Sequence, residues 1–210
     1  MSLIKKISLV VVVLSLLQVY AQDQLITDYS FKDSYGYDSS FLSTNLHIEK
    51  NGKVERNEVI IKKGSKNLPK ISIPFDDIDD FKTFLTDGLE KFIKWDSLRM
   101  ENEIGEMKKQ IAVFNKKVEF VGDDYGVFIE RTDVELNFIS WKSGSSVMQI
   151  RAYANDGVRS DIFAAYLHYG NRDLKRSANN EAFQLFLVDF NIGNFEKEKD
   201  KINSKASLFD

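Results

Sequence analysis

PFDDIDDFKTFLTDGLEKFIKW, residues 74–95, reads as a helix with one face to bury. Ile78, Phe81, Phe84, Leu85, Leu89, Phe92 and Ile93 recur at helical spacing and make one wide apolar stripe. Pro74 precedes the stripe, and Asp76, Asp77, Asp79 and Asp80 crowd its first turn. Carboxylates there cap free N–H groups and meet the positive end of the helix dipole. Lys91 and Lys94 stand near the other end, where cations belong. The spacing predicts a helix over 77–95, followed by a charged stretch of open assignment, 96–109.

Strands are expected on both sides of this helix. Upstream, residues 41–50 alternate Leu46 and Ile48 with Asn45, His47 and Glu49, and Asn51-Gly52 is a strong hairpin signal. The partner strand is expected over 54–63 and a third over 70–73. Downstream, 117–121 and 125–131 flank the turn-like Gly122-Asp123-Asp124, and 134–141 and 147–153 flank Lys142-Ser143-Gly144-Ser145. Residues 162–169 are read as strand, 182–190 as helix, and 195–208 as a charged helix or frayed tail. The order of strands then helix, repeated, predicts an α+β fold dominated by antiparallel sheet.

The two halves share a pattern. Phe81, Phe84, Leu85 and Asp87 match Phe183, Phe186, Leu187 and Asp189, and Leu46-His47-Ile48 before Asn51-Gly52 echoes Met148-Gln149-Ile150 before Asn155-Asp156-Gly157. A true duplication would give two tandem strands-then-helix units, 41–109 and 110–210; the other division is one continuous domain over 41–210. Element order alone resembles the PUR and Whirly type of nucleic-acid-binding repeat. No specific motif of that type is present, and no assignment to it is made.

The N-terminus carries an address. Lys5 and Lys6 precede the largely apolar run from Ile7 to Leu17, and Val19-Tyr20-Ala21 presents small residues three before and one before a cleavage point. This is the order of a secretory signal peptide over 1–21, too short for the roughly 20 apolar residues that cross a bilayer. The mature chain is expected to start at Gln22, with 22–40 a loose polar and aromatic arm, and no later run predicts a membrane span. Loss of Lys5 and Lys6 would leave the remainder more acidic than the −3 of the whole chain. That balance lacks the basic footprint of nucleic-acid binding, so no nucleic-acid partner is expected. Cysteine is absent, which removes disulfides, thiolate metal sites and lipidation at a cysteine. Sixteen Phe, eight Tyr and two Trp supply a core without such staples. A periplasmic or secreted location follows.

Catalytic motifs are scarce. His47 and His168 are the two histidines, each expected on a strand, and neither has metal-ligand company in the sequence. Ser143-Gly144-Ser145-Ser146 lacks the G-x-S-x-G elbow and fits a turn. Glu101, Glu103 and Glu106 read as a solvated face. No phosphate loop or dinucleotide fingerprint occurs, so no cofactor, metal or catalytic residue is assigned. One constellation stands out as a candidate ligand platform: Asn137 and Trp141 on one strand beside Gln149, Arg151 and Tyr153 on its hairpin neighbour. Aromatic faces beside an arginine suit sugars, peptides or anions. The reading is an exported, non-enzymatic binding or interaction module for a partner protein or small envelope ligand. The alternative is an exported hydrolase assembled from scattered Asp, Glu and His.

Overall fold

The computed structural model describes residues 22–32, 38–62, 70–121, 129–142, 144–153, 159–165 and 174–209. Eight strands form one antiparallel sheet whose spatial order follows the chain: β1 (Gln22–Lys32), β2 (Asp38–Ile48), β3 (Glu58–Lys62), β4 (Lys70–Pro74), β5 (Met107–Val121), β6 (Ile129–Ser140), β7 (Ser146–Tyr153) and β8 (Arg159–Ala165). Helix α1 (Ile78–Glu101) joins β4 to β5, while α2 (Leu174–Asp189) and α3 (Ile192–Ala206) follow β8. The fold is α+β, and four strands then helix occur twice in succession.

All three helices contribute to one core on a single face of the sheet. Leu42, Leu46, Val59, Ile61, Ile71, Ile73, Phe120, Leu136, Phe138 and Ile150 point to it from alternate strand positions. The predicted stripe of α1 is buried against them from Ile78 to Phe92, with Ile93 partly buried at its margin. Phe81 packs edge-on to Phe114 at 5.0 Å and reaches Phe190 at 5.8 Å, linking α1, β5 and the end of α2. The matched residues of the two halves, Phe81, Phe84 and Leu85 with Phe183, Phe186 and Leu187, are all buried.

Among the described residues the second face carries no helix, yet Ser43, Asn45, Ile60, Lys62, Ser72, Asn137 and Gln149 are buried there. The sheet covers itself: it coils until Cα atoms of β8 come within 8 Å of β2 and β3. A strongly twisted sheet of this width curls naturally, and the curl turns a nominally solvated face inward.

Several boundaries differ from the sequence expectation, each for a visible reason. Residues 22–32 are no loose arm but the edge strand β1, paired along its length with β2. A bulge at Ile26 shifts the alternation, so Tyr29 and Phe31 turn to the core while Leu25 faces out. Helix α1 runs on to Glu101 because its charged last turns are buried as a pair. Arg99 donates to Asp96 Oδ1 from Nε at 3.1 Å and Nη2 at 3.0 Å, and Ser146 Oγ adds 2.7 Å. Arg99 Nη2 also reaches Gly144 O at 2.9 Å, which ties the helix to the β6–β7 hairpin. The loop from β2 to β3 is wider than a two-residue hairpin: Gly52 alone has positive φ, at 79°, and β3 starts at Glu58. Val54 is instead clamped to α3, its N–H donating to Asn203 Oδ1 at 2.7 Å. No side-chain cap forms at the start of α1; Asp77 and Asp80 bind Lys116 at 2.6 and 2.7 Å. Residues 1–21, read from the sequence as a signal peptide, Gly122-Asp123-Asp124 and His168 lie outside the described residues.

Candidate functional site

Pairing of β6 with β7 brings Asn137 opposite Gln149 and Glu135 opposite Arg151 on the helix-free face. The candidate platform is therefore real as a row but not as an exposed surface. Asn137 and Gln149 are each 5% exposed, and Arg151 is half-buried. Trp141 lies off the strand, in the turn, where its backbone N–H donates to Ser145 O at 3.0 Å and its side chain is exposed. Tyr153 stands opposite Arg159 at the strand end, and its side chain is outside the described residues. Two buried groups on this face, Asn137 Nδ2 and Ser72 Oγ, have no hydrogen-bond partner among the described residues. Buried polar atoms are normally paired, so each marks a place where water or a ligand atom fits.

A charged cluster occupies the β1–β4 end of the same face. Asp23 Oδ1 lies 3.2 Å from His47 Nδ1, and Asp23 Oδ2 lies 3.1 Å from Lys70 Nζ and 3.7 Å from Lys62 Nζ. Burial alone would raise the Asp23 pKa. The charge of Lys70, hydrogen bonds from His47 and Lys70, and the charge of Lys62 outweigh it and hold the carboxyl below its usual 3.8. Burial pushes the neighbouring Asp28 the other way, only partly offset by Lys62. His47, on a strand as expected, is partly buried and oriented by a carboxylate. Among the described residues no three His, Asp or Glu side chains group as a metal site requires.

The open space lies elsewhere. A cleft of about 610 Å³ separates the first half of β1 from α3. Leu25, Ile26 and Ile202 supply apolar walls, and Lys197, Lys201 and Lys205 line it from successive turns of α3. Their i, i+4, i+8 spacing places all three on one stripe. Asp189 and Glu198 also line the cleft, but both are engaged: the Tyr29 hydroxyl donates to Asp189, and Lys201 Nζ donates to Glu198 at 2.9 and 3.1 Å. Lys197 and Lys205 have no carboxylate partner among the described residues. Sequence reasoning treated this segment as a charged helix or tail; the lysine period was legible, but nothing in it announced the facing strand. A volume of this size lies within the range of ligand-binding clefts. No protein-family model matches the chain, and no curated protein or solved structure matches it either.

Proposed function

We propose that the protein is an exported, non-enzymatic binding module that receives its partner in the cleft between β1 and α3. The observation that carries this reading is the combination of an open cleft, an apolar wall and two lysines without carboxylate partners among the described residues. Such a mixture of apolar contact area and a few placed charges is what recognition sites use for affinity and orientation. Export rests on the charged, apolar and small-residue order of Met1–Ala21.

The test has two arms. N-terminal sequencing of the natural protein should begin at Gln22; material starting at Met1 in the cytosol would remove the export half. A photo-crosslinking residue placed at Leu25, 48% exposed inside the cleft, should capture a discrete partner in the producing cell. The same residue at Val188, exposed but outside the cleft lining, should not. Equal labelling at both positions, or none at Leu25, would overturn the cleft reading.

A second reading, an exported hydrolase, draws on the Asp23–His47 pair, because a carboxylate at Nδ1 fixes the tautomer that leaves Nε2 able to accept a proton. It requires hydrolysis of an ester, peptide or glycoside by the wild type that His47→Ala abolishes.

A further inference from the structure

We propose that the β1–α3 cleft takes an extended peptide segment carrying acidic side chains at alternate positions. This rests on the cleft reading above and adds the chemistry of the occupant. Lys197, Lys201 and Lys205 stand about 6 Å apart along α3, four residues at 1.5 Å each. Alternate side chains of an extended chain stand roughly 6.6 Å apart. The two repeats stay in step over three positions, so the outer two carboxylates on one side of a strand meet Lys197 and Lys205, and the middle one meets Lys201, already shared with Glu198. The side chains between them turn the other way, toward Leu25 and Ile26 of β1.

Charge complementarity selects an anion. Both carboxylates of the cleft already have hydrogen-bond donors, Asp189 from Tyr29 and Glu198 from Lys201, and the cations of Lys197 and Lys205 remain. The apolar wall selects against a compact anion, which would meet one or two lysines and leave Leu25 wet. Position selects an extended shape, since β1 is an edge strand with β2 as its one paired neighbour. The bulge at Ile26 interrupts a continuous backbone ladder, so side-chain pairing carries most of the specificity.

Fluorescence anisotropy with the purified natural protein tests this. The probes are a labelled Glu-Val-Glu-Val-Glu-Val-Glu peptide and a peptide of the same composition with its glutamates in one block. The alternating peptide should bind several-fold tighter than the block peptide, and its affinity should fall as salt rises. The double variant K197Q/K205Q should weaken it about tenfold, the size expected for losing two exposed ion pairs. Both lysines are exposed, so the variant keeps its fold, checked by circular dichroism. Three results overturn the proposal: equal affinity for the two peptides, unchanged affinity in K197Q/K205Q, or displacement of the peptide by equimolar citrate. If partner capture from Leu25 persists alongside any of these, the cleft reading stands and only the occupant is wrong. If that capture also fails, both fall.

Discussion

Gly88 of α1 lies directly against Leu136 of β6: a β-carbon at position 88 would overlap the Leu136 Cδ1 atom. This close approach lets the helix settle onto the sheet at the centre of the core, where Leu136 is fully buried. Gly88→Ala gains roughly 1 kcal/mol of helix propensity, but overpacking a filled core costs about 1–3 kcal/mol. The expected outcome is a net loss. Gly88→Ala with Leu136→Val should be less destabilised than the sum of the two single variants, because valine lacks the overlapping methyl. A double-mutant cycle from urea melts checks this, and strict additivity would refute the contact.

The Asp96–Arg99–Ser146 cluster predicts an asymmetric pair of results. Asp96→Ala leaves a guanidinium buried beside no carboxylate and should cost about 3–5 kcal/mol. Asp96→Ala combined with Arg99→Met removes both charges and should recover much of that loss. Equilibrium unfolding of both variants decides the matter; similar stability for the two would show that the ion pair is not a unit.

Tyr29 links β1 to the end of α2 and sets an alkaline limit. Burial, the hydrogen bond to Asp189 and the charge of Asp189 together raise its pKa from 10.0 to about 12. The fold thus favours the protonated hydroxyl, and this contribution is complete below pH 10. It is lost as pH rises through 10 toward 12. Tyr29→Phe should cost about 0.5–1.5 kcal/mol near neutrality and flatten that part of the pH–stability curve. An unchanged alkaline limb in the variant would assign the loss to other groups.

Helix α1 closes on a left-handed residue that is not glycine. Glu103 has φ of 53°, while Ile104 N–H donates to Arg99 O at 2.9 Å and Glu103 N–H to Met100 O at 3.3 Å. These are the paired bonds of a Schellman end, where glycine is the favoured residue. Glu103→Gly should stabilise the protein by about 0.5–1 kcal/mol. A thermal midpoint that falls would contradict the backbone geometry.

Local chemistry made much of this fold readable. The stripe of α1, the β6–β7 hairpin and the helical end of the chain all follow from period and turn residues. What escaped reading depends on long-range partners. Residues 22–32 looked irregular because one bulge at Ile26 breaks their alternation, and residues 96–101 had no readable assignment because the groups that join the Asp96–Arg99 pair, Ser146 and Gly144, lie far along the chain. The row of Asn137, Gln149 and Arg151 was legible as a shared face. Its burial was not, since the cover is the coil of the sheet itself. The β1–α3 cleft joins the two ends of the domain, and such a meeting leaves no mark on either segment.

The strand at the start of the fold is roofed by a helix near its finish: Phe31 rests on Phe183 at 6.4 Å and Tyr29 on Phe186 at 6.0 Å. During vectorial synthesis, N-terminus first, those two rings lack these partners until residues 183–186 have emerged. A nascent chain halted before α2 therefore presents a greasy leading strand with nothing to shelter it, a form that chaperones or proteases recognise. Completion of the polypeptide is what makes the first strand safe.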